Sequence, residues 1–64
     1  MVMDEASRFC VAEYRDHLVY KLLAEREKGD KVKRILEKLA ADELAHYRFW
    51  SRLADNCEPK VNKL

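Results

Sequence analysis

Turn-forming residues are almost absent from this chain of 64 residues, which contains one glycine and one proline. Sheets need frequent turns, and disordered chains are usually enriched in both residues, so the shortage argues against both classes. Hydrophobic residues make up 48% of the chain and charged residues 39%. This composition predicts an all-α protein of long helices, organised as one small domain over residues 1–64.

Several other features are missing too. No apolar run approaches the ~20 residues of a membrane span, which predicts no such span in this chain. The 13 basic and 12 acidic residues are mixed and give a net charge of +1, so no basic face for nucleic acid is expected. There is no signal-peptide pattern, which predicts a cytoplasmic protein. Cys10 and Cys57 are accordingly interpreted as free thiols in a reducing compartment.

The first predicted helix covers about residues 4–28. Asp4 is a favourable N-cap residue, and neither glycine nor proline interrupts the chain before Gly29. Glycine often follows a helix in the left-handed conformation, so Gly29 is expected to end this helix in that way.

A second helix is predicted over about residues 31–56, with Asp30 as its N-cap and a tail at 57–64. Pro59 favours the end of this helix, because the residue before a proline disfavours helical geometry. The connection at 29–30 is so short that the two helices must lie antiparallel as a hairpin.

Two polar residues interrupt an apolar stripe on the second helix. The stripe alternates steps of four and three residues, and Glu43 and His46 replace two of its members. The apolar members are Val32, Leu36, Leu39, Trp50 and Leu53. An unpaired carboxylate in such a position costs several kcal/mol, so a partner such as a cation or a metal is expected.

Glu13 interrupts the apolar seam of the first helix in the same way. In a hairpin with its turn near residues 29 and 30, the numbers of facing residues sum to about 59. Glu13 is then expected beside His46, and Asp16 beside Glu43. The three interrupting groups Glu13, Glu43 and His46 therefore fall at one level and form one candidate site.

One hairpin offers too few ligands for a closed metal site and cannot cover its own core. The first helix is apolar on more than one side, which predicts neighbours on both. In di-iron carboxylate bundles, a Glu from each of two helices joins a Glu-x-x-His from each of the other two. A homodimer of this chain, or a higher even oligomer, would supply that set for two metals. Carboxylates with one imidazole per metal suit iron or manganese better than zinc.

Three segments resemble the ferritin-like superfamily and, within it, the rubrerythrin-type domain. Residues 13–20 read Glu-Tyr-Arg-Asp-His-Leu-Val-Tyr, residues 22–25 read Leu-Leu-Ala-Glu, and residues 39–46 read Leu-Ala-Ala-Asp-Glu-Leu-Ala-His. The resemblance spans about residues 8–54. It implies a four-helix bundle with a di-iron site that acts as a ferroxidase or a peroxidase. Family members usually carry both halves of the bundle in one chain, whereas this chain carries one half and would need to dimerise.

The resemblance implies Glu13, Glu43 and His46 as metal ligands and Tyr20 as a hydrogen-bond donor to a ligand; the alternative for Tyr20 is a core aromatic. Asp16 is either an acceptor for the His46 ring N–H or a solvated residue. His17 stands four residues after Glu13 and offers a rival Glu-x-x-x-His pair, but it lies off the seam and is expected at the surface or the rim. Cys10, one turn before Glu13, is expected to be a small buried residue, with an iron thiolate ligand as the alternative.

A branch of the same family places such a domain ahead of a membrane domain similar to vacuolar iron and manganese transporters. Phe49-Trp50 and Glu58-Pro59 resemble that branch.

From the candidate di-iron site and the resemblance to the rubrerythrin-type domain, the chain is expected to oxidise Fe(II) with O₂ or H₂O₂, with two alternatives. One is a metal-sensing or metal-delivering module of a transporter in a longer parent protein, and the other is a metal-free oligomerisation hairpin.

Overall fold

Two helices form an antiparallel hairpin in this computed structural model, which describes residues 2–54 and residue 57. Helix α1 is Val2–Arg26 and helix α2 is Asp30–Leu53, with no strand among the described residues. The two helices pack along their length, and the molecule measures 43 × 22 × 12 Å. The smallest dimension is about one helix diameter, so neither face of the pair is covered by a second layer. The all-α hairpin prediction is confirmed.

The turn differs from the sequence prediction. Gly29 has φ −81° and ψ 121°, which is extended backbone, so the expected left-handed conformation was wrong. Gly29, and not Asp30, is the N-cap of α2, and Asp30 lies in the first helical turn, where a carboxylate favours the positive end of the helix dipole. The Gly29 N–H donates to the Glu27 carboxylate at 3.0 Å. The Glu27 side chain thus accepts the hydrogen bond of the Gly29 N–H, which in the expected left-handed turn would go to a backbone carbonyl.

The helix ends also shift by one to three residues. Helix α1 begins at Val2, before the expected cap at Asp4, and ends at Arg26. Helix α2 ends at Leu53, where Ala54 becomes extended at φ −81° and ψ 139° and its N–H donates to the Trp50 carbonyl at 3.0 Å. The predicted end near Asn56 and the stop at Pro59 lie outside the described residues.

The core between the helices is small. Among the residues that the structure describes, the buried hydrophobic ones are Ala6, Cys10, Ala24 and Ala40. Small side chains let two helices approach closely, but they remove little apolar area from water. Eight large apolar side chains are exposed by 37% to 54%, and these are Phe9, Val19, Leu23, Val32, Ile35, Leu39, Phe49 and Leu53. The hairpin therefore buries small residues fully and leaves much of its large apolar surface exposed.

Candidate metal centre

Glu13 on α1 meets Glu43 and His46 on α2 at one level of the hairpin. The His46 Nδ1 atom lies 3.0 Å from Glu13 Oε2 and 3.0 Å from Glu43 Oε1. Glu43 and His46 lie one helical turn apart, which places both side chains on the same face of α2. The predicted register, with Glu13 beside His46, is confirmed.

One ligand atom from each of these three residues lies within 4.8 Å of the other two. The side chains of Glu13 and Glu43 are 22% and 19% exposed, whereas that of His46 is 58% exposed. The two carboxylates are therefore partly removed from water, and the imidazole covers them at the surface of the hairpin. The exposed His46 side is open to a further ligand, since the hairpin has no second layer there.

The electrostatics of the cluster reflect this crowding. Partial burial raises the pKa of Glu13, and the negative charge of Glu43 and a hydrogen bond with Glu43 raise it further. His46 opposes the shift and the charge of Asp16 adds to it. A hydrogen bond to Glu43 raises the pKa of His46, with additional contributions from the charges of Glu13, Glu43 and Asp42. The cluster thus favours bound positive charge, and in the metal-free protein the protons held by Glu13 and His46 supply it.

The donor set fits a divalent metal that prefers oxygen and nitrogen ligands. Carboxylates and imidazole suit iron and manganese, and the cluster contains no thiolate of the kind common in structural zinc sites. The same Nδ1 atom of His46 faces both carboxylates, so one cation between the three would meet a donor from each. Three donors leave half of an octahedral shell open, so one hairpin alone does not close the site.

Aromatic residues form a wall on the side of the cluster away from the turn. The rings of Phe9 on α1 and Trp50 on α2 have centroids 4.8 Å apart, and Phe49 packs edge-on against Trp50 at 5.1 Å. Phe9 and Phe49 are nevertheless 48% and 54% exposed. The candidate metal centre is therefore bordered by apolar surface that remains available for a further contact.

Two residues proposed around the site have different surroundings. Tyr20 is half-buried on α1, and none of the hydrogen bonds found between residues 2 and 54 joins it to Glu13, Glu43 or His46. Asp16 is exposed and acts on Glu13 through its charge. The role of Tyr20 as a donor to a ligand stays a prediction.

His17 has a structural role that the sequence reasoning missed. It was expected at the surface or the rim, but it is half-buried and its Nδ1 lies 2.7 Å from the Ala40 carbonyl oxygen. The ring nitrogen donates, since a carbonyl can only accept. This hydrogen bond joins α1 to α2 on the turn side of the cluster. The sequence did contain a signal for this contact, because the predicted hairpin register places His17 close to Ala40.

Cys10 and Cys57 form a disulfide, so their interpretation as free thiols was wrong. Cys10 is buried, as expected, with no exposed area, and the Cα atoms of the pair lie 6.1 Å apart. The sequence reasoning considered the redox compartment and not the distance between the two residues, and Cys57 lies against α1 at Cys10. No helix in the described part of the chain is long and apolar enough to cross a membrane.

Comparison with known proteins agrees with this description. The family model named Rubrerythrin matches residues 7–64, which is most of the chain. No curated protein and no solved structure matches it. The matched range includes all three members of the cluster, and the all-α hairpin is what a half-bundle of that family requires. This chain belongs to the Rubrerythrin family, whose domains are di-iron carboxylate domains of the ferritin-like superfamily.

Proposed function

We propose that two copies of this chain form a four-helix bundle that binds two irons and oxidises Fe(II) with O₂ or H₂O₂. The observation that carries the proposal is the cluster of Glu13, Glu43 and His46, whose ligand atoms lie within 4.8 Å of one another. Membership in the Rubrerythrin family supports iron as the metal. Manganese and zinc are the competing metals, and the donor set favours manganese over zinc.

One hairpin leaves apolar side chains exposed and its metal ligand set incomplete, and both favour dimerisation. Leu39, one turn before Glu43, is 37% exposed, and Phe9, one turn before Glu13, is 48% exposed. Exposed apolar residues that flank an incomplete ligand set are best covered by a partner that also supplies ligands. A second copy does both, because it brings Glu13, Glu43 and His46 again. The set then equals that of the di-iron carboxylate bundles.

Each residue has a distinct role in this proposal. Glu13 comes from one helix and Glu43 from the other, so their carboxylates can bridge between elements and neutralise the charge of the metals. His46 is the terminal nitrogen ligand through Nδ1, the atom that faces both carboxylates. Tyr20 is proposed as a hydrogen-bond donor to a ligand across the dimer. Iron held by these residues would be in a position to give electrons to the oxidant.

Metal binding must displace protons from the cluster. In the metal-free protein, burial and the nearby Glu43 raise the pKa of Glu13, and a hydrogen bond to Glu43 raises the pKa of His46. Both conditions favour bound protons where a cation would otherwise lie. Loading with a divalent metal therefore releases protons and relieves the repulsion between the carboxylates.

The test is an aerobic titration of the purified, metal-free protein with Fe(II), followed by oxygen consumption and elemental analysis. A catalyst should oxidise more than two equivalents of Fe(II) per dimer. Metal that binds without turnover would instead indicate a delivery or sensing module. A protein that binds neither iron nor manganese would be an oligomerisation hairpin. Cytoplasmic localisation stays a prediction, and the oxidation state of Cys10 and Cys57 in cells would test it.

A further inference from the structure

The disulfide between Cys10 and Cys57 lies one helical turn from the candidate metal centre. Cys10 precedes Glu13 by three residues on α1, which places the two side chains on adjacent turns. The Cys10 Sγ atom also lies 3.8 Å from the carbonyl oxygen of Tyr47, the residue after His46. The buried sulfur therefore contacts α2 at the level where α2 supplies its imidazole.

The ligands of the site are divided between the two helices. Glu13 belongs to α1, whereas Glu43 and His46 belong to α2. The spacing of the donor atoms thus depends on how the helices sit against each other. A helix pair that opens at this level moves Glu13 away from the other two and leaves a weaker set of donors.

At the level of the cluster, Tyr14 on α1 packs against Tyr47 on α2 with ring centroids 4.8 Å apart, and beyond it the described part of the chain offers fewer contacts that resist an opening. The cluster lies about 24 Å along the helices from the Gly29 turn, since each residue adds about 1.5 Å. The hydrogen bond from His17 to Ala40 fixes the helices on the turn side of the cluster. On the other side, the buried residues among those that the structure describes are the small Ala6 and Cys10, and the Phe9–Trp50 contact is partly exposed.

The disulfide joins residues that are 47 positions apart in the sequence, so it closes nearly the whole hairpin. A cross-link over a long loop restricts the unfolded and opened states more than one over a short loop. The effect should be largest where the non-covalent core is small. In this hairpin, the open end beyond the candidate metal centre is such a place.

We propose that the Cys10–Cys57 disulfide is a redox-sensitive clamp that sets the metal affinity of the Glu13, Glu43 and His46 site. The inference rests on the proposed function, because it needs that site to bind metal. An external dithiol attacks the sulfur of Cys57, which is half-buried, rather than that of Cys10, which has no exposed area. The dithiol is oxidised to its own disulfide, and its two electrons and two protons convert the pair to two thiols. The open end of the hairpin then loses its covalent tie.

The experiment is a titration with Mn(II), which does not exchange electrons with thiols, under argon. Free Mn(II) is followed by electron paramagnetic resonance. One sample is the oxidised protein and the other has been reduced with excess dithiol and then separated from it. Reduction should weaken Mn(II) binding by about tenfold, within the usual range of coupling between two sites. Cys57→Ser, which removes the tie at its more exposed end, should match the reduced protein and not respond to dithiol.

The effect of Mn(II) on reduction of the disulfide is a second measurement, and it applies even if the reduced hairpin is less helical. Linkage requires that bound Mn(II) make the disulfide harder to reduce by the same factor of about tenfold. Thiol titration at a fixed ratio of oxidised to reduced dithiol, with and without Mn(II), measures that shift. Equal Mn(II) affinity in both redox states, or no shift in the thiol titration, would overturn the clamp and leave the proposed function intact. Absence of Mn(II) and Fe(II) binding to the oxidised protein would overturn both.

Discussion

The Nδ1 atom of His46 lies 3.0 Å from the Glu13 carboxylate, and this contact joins α2 to α1 in the middle of the hairpin. The same atom lies 3.0 Å from Glu43. A single imidazole nitrogen therefore faces two carboxylates that come from different helices. This arrangement leads to distinct expectations for metal binding, stability and assembly.

Replacing the imidazole tests the ligand assignment. His46→Ala should lower metal occupancy sharply and leave the helix content unchanged, because the side chain is 58% exposed and contributes little to packing. Inductively coupled plasma mass spectrometry and circular dichroism measure the two quantities.

His17→Ala is the matched control, since it removes the other histidine of the chain. It should retain the metal stoichiometry and lower the free energy of unfolding by about 1 kcal/mol, because the hydrogen bond to Ala40 is lost. If His17→Ala abolished binding and His46→Ala did not, His17 and not His46 would be the imidazole ligand.

Removing one negative charge from the cluster should have opposite effects with and without metal. In chelator at pH 8, Glu13→Gln should raise the free energy of unfolding on the order of 1 kcal/mol, because it ends the repulsion with Glu43. With saturating Mn(II), the wild type should be stabilised by about 2.7 kcal/mol at a hundredfold excess over Kd, and the variant much less.

Thermal unfolding in chelator and in Mn(II) measures both effects, and Glu25→Gln is the control, since Glu25 is exposed on the same helix. A chelated Glu13→Gln protein clearly less stable than wild type would mean that protein groups, and not a metal, satisfy this carboxylate.

The stability of the metal-free protein should fall as pH rises. Folding raises the pKa of Glu13 above its ordinary value of 4.5 and that of His46 above 6.5. In both cases the folded state holds the proton more tightly. The stabilisation is therefore complete below the ordinary pKa and is lost as pH rises through the raised one. Melting temperatures in chelator should decrease from about pH 4.5 upward for Glu13, and from about 6.5 for His46.

Glu13→Gln separates the two contributions. It should flatten the acid part of the pH profile and keep most of the part above 6.5, because the main cause of the His46 shift is its hydrogen bond to Glu43. A wild-type profile that rises over this whole range would mean that the cluster is not crowded in solution.

The apolar surface around the site predicts self-association. Leu39→Glu should shift the protein from dimer or higher even oligomer to monomer, because it places a charge on the exposed apolar stripe one turn from Glu43. Ala41→Glu is the control, since it adds the same charge about 200° around the helix at an exposed position. Sedimentation velocity distinguishes the two, and monomeric wild type would remove the shared-site proposal.

The sequence predicted the helices and the cluster because both depend on local spacing. The shortage of glycine and proline indicated long helices, and the position of Gly29 determined which residues face each other, so Glu13 could be paired with His46 by counting. The turn geometry was missed because Gly29 has two common uses near helices, and the Glu27 carboxylate decides between them by accepting its N–H. The disulfide was missed because it depends on where Cys57 lies relative to α1, a tertiary relationship that spacing does not encode.

The most direct test of the central claim is to measure metal content and mass on one sample. Elemental analysis of protein loaded with Fe(II) under argon should give one metal per chain, and sedimentation equilibrium of that sample should give an even multiple of 7.6 kDa. Both values follow if Glu13, Glu43 and His46 of two copies share two irons. A monomer of 7.6 kDa that retains its metal, or an oligomer that binds none, would contradict the account.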